Sequence, residues 1–152
     1  MIIGIDPDIE KSGFACISSN GKLKIECKSF YEIINAARLY REVYESKNQY
    51  IIEAGWLNKK SNWHPPSKVK LSPMQEKARA ERVSKNVGEN HAVGKLLAEC
   101  LRAIGHEVIE VKPTRTKLNA KQFKALTGYE GRTNQEQRDA AVLIWHLRNA
   151  KT

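Results

Sequence analysis

Four carboxylates stand where this chain could supply oxygen ligands to a divalent metal ion: Asp6, Glu53, Glu136 and Asp139. The first two each follow a short apolar run that predicts a buried strand, and the last two lie three residues apart in a helical pattern over 135–149. Burying an unpaired carboxylate is very costly, whereas a metal site needs such ligands from different parts of the chain. Chance explains one charge at a strand end, but two such strands together with a helical carboxylate pair favour a metal site.

The composition fits a polyanionic partner. Lys and Arg number 26 against 17 Asp and Glu, which gives a formal net charge of +9 over 152 residues. Such a charge favours binding to nucleic acid, although an ordinary basic soluble protein can have the same composition. The length predicts a single domain, 1–152, that is large enough to bury a core.

Cysteine usage and hydropathy bear on the compartment. The three cysteines are widely spaced, match no metal-ligand spacing and are expected to be reduced thiols of a cytoplasmic protein: Cys16, Cys27 and Cys100. The N-terminus leads directly into an apolar strand without a basic leader, so no signal peptide is predicted. No apolar run is long enough to cross a membrane.

Apolar periodicity and capping residues predict an α/β fold, with a mixed sheet and helices packed on it. Strands are expected at 2–5, 13–18, 22–28, 49–54 and 108–111. Helix boundaries are predicted from capping residues: Ser29 begins the first helix, Ser72 and Gly105 bound the second, and Asn119 and Asn134 begin the last two. The pattern of the long second helix allows a break near Gly88.

Two basic segments follow predicted strands. The first, after Glu53, includes Lys59, Lys60, Lys68 and Lys70, and its proline and aromatic residues, among them Trp63 and His64, indicate an irregular loop. The second, after the last strand, includes Lys112, Arg115, Lys117, Lys121 and Lys124. Such clusters bind phosphates without recognising base sequence, although a solvated charged loop would have the same composition.

Short motifs over nearly the full length resemble those of the RuvC family of Holliday-junction resolvases. They are Ile3-Gly4-Ile5-Asp6-Pro7, Ser12-Gly13-Phe14, Ile51-Ile52-Glu53, Val111-Lys112-Pro113, Lys117, Thr127-Gly128 and Asp139-Ala140-Ala141. The order and spacing of the motifs carry the resemblance, because each motif alone is short. The resemblance implies an RNase H-like fold with a central mixed sheet flanked by helices, divalent-metal nuclease chemistry and a homodimer that acts on branched DNA.

The resemblance also implies roles for individual residues. Asp6, Glu53, Glu136 and Asp139 would be catalytic ligands of Mg²⁺ or Mn²⁺, with a pair of ions in each site. Lys117 would be a catalytic residue near the scissile phosphate, and Trp56 would contact unpaired bases at the junction. The expected DNA-binding residues are Trp56, Lys59, Lys60, Lys68, Lys70, Lys112, Arg115 and Lys121.

Two positions depart from the family pattern. Asp8 stands where the family usually has Gly, and it suits a turn residue better than a further ligand. Glu136 stands where many members have Asp, and an ordinary surface glutamate would fit the helix nearly as well. A surface lysine at Lys117 and a core tryptophan at Trp56 also remain open.

Three functions are compatible with these features: a metal-dependent junction resolvase, an RNase H-fold nuclease for RNA–DNA hybrid or other branched nucleic acid, and a non-catalytic nucleic-acid-binding module. The intact acidic set argues against the third. A sugar-kinase or actin-like ATPase also begins with a strand aspartate and a glycine turn, but it needs a second domain for which this length leaves no room. His91 and His146 are interpreted as structural residues, and Trp145 as a core residue.

Overall fold

The computed structural model describes residues 1–58, 69–114 and 116–148. Its strands are β1 (Ile2–Asp6), β2 (Ser12–Ile17), β3 (Leu23–Lys28), β4 (Gln49–Glu53) and β5 (Glu107–Val111). Its helices are α1 (Phe30–Glu42), α2 (Pro73–Ile104), α3 (Ala120–Thr127) and α4 (Gln135–Trp145), with a short 3-10 helix at Gly55–Leu57. All predicted strands are present, and their ends differ from the prediction by at most one residue.

The strands form a five-stranded sheet in the order β3-β2-β1-β4-β5. Strands β1, β2 and β3 form an antiparallel meander, and β4 and β5 run parallel to β1. Parallel strands need crossover connections, and here α1 leads into β4 while α2 connects β4 to β5. This strand order with these directions is that of an RNase H-like fold, so the predicted α/β fold class is confirmed.

Helices cover both faces of the sheet. On one face, α1 and α2 pack on a core cluster that includes Ile3 and Ile5 of β1. On the other face, α3 and α4 pack on a second cluster that includes Ile51 of β4. Because successive side chains of a strand point to opposite faces, Gly4 and Asp6 belong to the α4 face of β1. The sheet therefore directs the first candidate acid towards the last helix.

Helix α2 is 32 residues long, but only its C-terminal part reaches the core. It begins with a capping box between Ser72 and Gln75 and ends at Gly105, which has a φ of 98°. Its buried residues all lie from Val93 onward. The break that the sequence pattern allowed near Gly88 does not occur, because one interior glycine costs only about 1 kcal/mol of helix propensity.

Helix α4 is shorter than the sequence pattern predicted. It ends at Trp145 with His146 as its C-cap, and the predicted end, Asn149, lies outside the described residues. Trp145 contacts the second core cluster, as expected of a core residue, and His146 is exposed. Within the described ranges, no helix is both long and apolar enough to cross a membrane.

Two glycines let the backbone of α4 lie directly on the sheet. A Cβ added at Gly4 would lie 2.1 Å from the carbonyl oxygen of Ala140, and one added at Gly13 would lie 2.1 Å from that of Glu136. Atoms cannot approach so closely, so a larger residue at either of these two positions would push the helix away. The Gly4-Ile5-Asp6 and Gly13 motifs therefore position α4 as well as forming strands.

Gly4→Ala is expected to destabilise the protein by about 1–3 kcal/mol, because its methyl group would meet rigid backbone rather than a movable side chain. Thermal denaturation should show a Tm lowered by roughly 2–4 °C for each kcal/mol. Gly88→Ala is the matched control: no atom lies within 4 Å of its added Cβ, and the change should stabilise α2 by about 0.5–1 kcal/mol. An unchanged Tm for Gly4→Ala would show that α4 is not held at this distance.

Candidate active site

Asp6 and Glu53 are brought together by the parallel pairing of β1 and β4. Each is the last residue of its strand. The register pairs Ile5 with Ile52, so the two acids follow side by side at the carboxyl ends of adjacent strands. The alternation of side chains places both on the α4 face of the sheet.

Helix α4 adds a third acid, and the segment before α3 adds a lysine. Asp139 is buried, and its Oδ2 accepts a hydrogen bond from Lys117 Nζ at 2.5 Å. The same ammonium group lies 3.6 Å from Glu53 Oε1. The Asp139 carboxylate also accepts a hydrogen bond at Oδ1 from Gln135 Nε2, at 2.8 Å. Lys117 thus joins a carboxylate of the sheet to a carboxylate of the helix.

Arg138 fixes the position of this arrangement. Its guanidinium donates to Gln135 Oε1 at 2.8 Å and to the carbonyl oxygen of Leu118 at 2.9 Å. One side chain therefore orients the amide that holds Asp139 and ties α4 to the residue that follows Lys117. The sequence motifs gave no indication of this role for Gln135 or Arg138.

The pKa of the Asp6 carboxyl group is strongly raised in the folded protein. Burial, followed by the negative charge of Glu53, raises the pKa of Asp6 from 3.8 to about 8, and Lys117 only partly offsets the effect. The negative charges of Asp139 and Glu136 raise the pKa further, by smaller amounts. Within the part of the chain that the structure describes, no donor hydrogen-bonds to the Asp6 carboxylate. A cation placed beside it would lower this raised pKa.

The neighbours of Asp6 respond to the same environment. Burial raises the pKa of Glu53, against the opposing attraction of Lys117. Burial by itself would lower the pKa of Lys117, but its hydrogen bond to Asp139 and the charges of Glu53, Asp139 and Asp6 raise the pKa above its ordinary value. Lys117 is therefore firmly positively charged at neutral pH.

The donor chemistry of the cluster fits a divalent metal ion. Its oxygens come from carboxylates, which Mg²⁺ and Mn²⁺ prefer, and the raised pKa of Asp6 reflects a surplus of negative charge. In the observed side-chain arrangement, no three His, Cys, Asp or Glu residues among those described form a group that could hold a metal ion. Both oxygens of Asp139 already accept a hydrogen bond, so a metal ion bound there would share an oxygen with Lys117 or with Gln135.

A cavity of ≈ 310 Å³ opens beside Asp6 and Glu53 and is also lined by Trp56, Asn90 and His91. The indole Nε1 of Trp56 donates to Glu110 at 3.0 Å, and the ring contacts the first core cluster. Trp56 therefore packs against the core and also forms a wall of the cavity, and its contact with bases stays a prediction.

His91 is a further residue that the sequence did not place beside this cavity. It was interpreted as structural, and it lines the same cavity with its ring 6.0 Å from that of Trp56 in an edge-on arrangement. Burial and the positive charge of Lys95 lower the pKa of His91. The sequence spacing of Val87, His91 and Gly94 predicts that they share one face of α2. It does not predict that this face lies beside the acids.

Asp8 and Glu136 lie by a second cavity, of ≈ 680 Å³, on the other side of the turn after β1. Asp8 accepts hydrogen bonds from the backbone N–H of Glu10 at 2.9 Å and from Asn90 Nδ2 at 3.2 Å. Asp8 therefore has the turn role that its position suggested. Glu136 is not in contact with Lys117, and its charge has the smallest of the effects on the pKa of Asp6. Its role as a metal ligand stays a prediction.

Three of the predicted DNA-binding lysines are exposed and form no ion pair with any other described residue: Lys70, Lys112 and Lys121. Lys124, in contrast, pairs with Glu130 at 2.5 Å. The predictions for Lys59, Lys60, Lys68 and Arg115, and the remarks on Trp63 and His64, fall outside the described residues. The exposed lysines remain available for phosphate.

No protein-family model and no curated protein sequence matches this chain. Among solved structures, the chain is similar to Thermus thermophilus RuvC in complex with Holliday junction substrate, with 14% identity, a TM-score of 0.49 and coverage of 98% of this chain and 93% of that chain. It is also similar to a second Thermus thermophilus RuvC structure, with 13% identity, a TM-score of 0.43 and coverage of 98% and 94%. Both belong to the family whose motifs the sequence resembles.

Asp6→Asn is expected to stabilise the protein in the absence of divalent ions, increasingly so as the pH rises. Because folding raises the pKa of Asp6 to about 8, the folded state favours the protonated carboxyl group. Protonation of Asp6 therefore contributes its full stability below about pH 4. This contribution decreases as the pH rises from about 4 to about 8 and is absent at higher pH. The variant never ionises, so thermal denaturation in EDTA should give a Tm advantage that grows over this range.

Added Mg²⁺ should reverse the advantage. Ligand that binds only the folded state stabilises it, so Mg²⁺ at about pH 8 should raise the Tm of the wild type and leave Asp6→Asn nearly unchanged. Glu99→Gln, at an exposed acid of α2, is the matched control and should show neither effect. A Tm difference that does not vary with pH would contradict the electrostatic account of Asp6.

Proposed function

We propose that this protein is a divalent-metal-dependent endonuclease that resolves four-way DNA junctions by paired phosphodiester hydrolysis. The observation that carries the proposal is the convergence of Asp6, Glu53 and Asp139 around Lys117, at the carboxyl ends of β1 and β4 in an RNase H-like sheet. Buried carboxylates with a strongly raised pKa are typical of functional sites, because evolution rarely retains such stress without a use.

The carboxylates would hold Mg²⁺ or Mn²⁺, and Asp6, which ends the central strand of the sheet, would be one of the ligands. Glu53, Asp139 and Glu136 would complete the ligand set. Such ions, when bound, supply a metal-activated water and stabilise the leaving oxygen. Lys117 would hold a phosphate oxygen of the cut strand, since its ammonium group lies at the edge of the carboxylates and offsets negative charge.

The surroundings of the cluster suit a DNA strand. The cavity beside Asp6 and Glu53 has an indole wall at Trp56, and stacking of a base on such a ring contributes about 1–3 kcal/mol. Lys112 and Lys121 are exposed in the segments that follow β5 and begin α3, where they would hold the phosphate backbone. The net charge of +9 favours such a polyanion.

A homodimer is part of the proposal. A four-way junction presents two symmetric strands to cut, and each chain would supply one carboxylate cluster, so a two-fold pair would place a cluster on each strand. Two large apolar side chains of α2 are available for an interface because they lie outside the core: Met74 is 76% exposed and Leu96 is 51% exposed.

Asp6→Asn should abolish cleavage of a four-way junction in Mg²⁺ and leave junction binding equal or tighter, because the change removes a metal ligand together with its repulsion of phosphate. The measurement is gel-based cleavage and binding with junction, matched duplex and RNA–DNA hybrid. Wild type mixed with Asp6→Asn should nick a cruciform plasmid where wild type alone linearises it, and sedimentation should give about twice the chain mass of 17.3 kDa.

Glu99→Gln serves again as the control for an exposed acid and should cleave as the wild type does. Full cleavage by Asp6→Asn would refute the active site. Faster cleavage of the hybrid than of the junction would assign the chain to another RNase H-fold nuclease. Binding without cleavage by the wild type, in either Mg²⁺ or Mn²⁺, would favour the non-catalytic module, and a monomer on junction DNA would refute the dimer.

Replacing Lys112 and Lys121 together by Gln should flatten the salt dependence of junction binding. Each lost phosphate contact reduces the slope of log affinity against log salt concentration by about 0.9, so the pair should reduce it by roughly 2. The matched control replaces Lys22 and Lys47, two exposed lysines beside the opposite ends of the strands, and removes the same net charge. Equal slopes for the two double variants would mean that Lys112 and Lys121 do not face the DNA.

A further inference from the structure

Lys117 is inserted between two buried carboxylates. Its Nζ lies 2.5 Å from Asp139 Oδ2 and 3.6 Å from Glu53 Oε1, and the side chains of these acids are only 8% and 11% exposed. The lysine side chain, in contrast, is 45% exposed. The Lys117 side chain is therefore nearly half exposed, while its ammonium group neutralises part of the negative charge of the cluster.

The partners of Asp139 differ in how easily they can leave. Gln135 is anchored, because its amide oxygen accepts a hydrogen bond from Arg138, which is itself tied to the backbone at Leu118 and Thr133. Lys117 has no such second anchor within the described part of the chain, apart from the carboxylates themselves. The oxygen that Asp139 can release is therefore Oδ2, the one bonded to Lys117.

We propose that Lys117 is the displaceable counter-ion of the carboxylate cluster. It holds Glu53 and Asp139 in place until a divalent cation binds, and it then swings outward along its exposed stem. This inference rests on the metal centre of the proposed function and adds a second role for Lys117, as the residue that sets how tightly the protein binds metal before DNA arrives.

Competition between Lys117 and the cation has a direct consequence for affinity. An ammonium group and a divalent ion at the same carboxylate oxygen repel each other, so each weakens the binding of the other. A phosphate beside the site would stabilise the outward position of Lys117 and thereby favour the cation. Metal and DNA would then bind cooperatively through one side chain, so the protein–DNA complex would bind the metal more tightly than the free protein does.

The inference is tested by calorimetric titration of the DNA-free protein with Mn²⁺. Lys117→Met should bind Mn²⁺ at least about fivefold more tightly than the wild type, the lower end of ordinary coupling effects. Lys117→Arg keeps the competing charge and should remain within about twofold of the wild type. Lys47→Met removes a lysine beside the opposite end of β4 and controls for net charge, so it should also remain unchanged.

A second measurement does not depend on the folding of Lys117→Met, which leaves two buried acids without their partner. In ¹⁵N-lysine spectra of the wild type in EDTA, one ammonium resonance that Asp139 protects from exchange should be visible. Lys117→Arg should lack this resonance, and the wild type should lose it when Mg²⁺ is added. Retention of this resonance in saturating Mg²⁺ would overturn the inference, as would equal or weaker Mn²⁺ binding by Lys117→Met.

The two proposals fail in different ways. If the wild type cleaves junctions in a metal-dependent manner but Lys117→Met does not gain affinity, only the displacement by Lys117 is wrong. If the wild type neither binds Mn²⁺ nor cleaves, both the metal centre and the displacement are wrong.

Discussion

The distance between the backbone of α4 and the sheet determines where the candidate site residues lie. That distance is set by Gly4 and Gly13, whose missing side chains leave room for the carbonyl oxygens of Ala140 and Glu136. Interiors pack densely and transmit displacement, so a helix pushed outward by one methyl group would also move Asp139 away from the ends of β1 and β4. The glycines of the first two strands are thus part of the geometry of the acids, although they carry no reactive group.

Charge imposes the second constraint. Three acids, of which Asp139 is buried and the other two are half-buried, repel one another, and the fold compensates only in part, through Lys117 and the amide of Gln135. Asp6 receives least of this compensation, because the structure describes no hydrogen-bond donor to it, and its pKa is raised to about 8. A protein selected only for stability would be expected to replace such a residue, which agrees with the site role proposed for Asp6.

The fold and the acids at the strand ends could be predicted from the sequence, because short apolar runs that end in Asp6 or Glu53 have few other interpretations. The contact between Lys117 and Asp139 could not, since these residues are separated by 22 positions and meet only through the packing of α4. His91 was missed for a related reason: helical spacing identifies a face but not the cavity that it meets. The catalytic roles of Lys117 and Asp139 stay predictions.

The uneven anchoring of α2 has a mechanical consequence. The part of the helix from Val93 onward is held by the core, whereas the turns before it contribute no buried residue, and Asn90 joins the last of them to Ile9 and Asp8 by hydrogen bonds. Local unfolding free energies fall where buried apolar contacts are few, so the first turns should fray more readily than the last. Val87 and His91, which line the cavity beside the acids, lie at the boundary between the two regimes. A molecule bound in that cavity would contact Val87 and His91 and so hold a longer part of α2 in place. The rigidity of α2 would then indicate whether the cavity is filled.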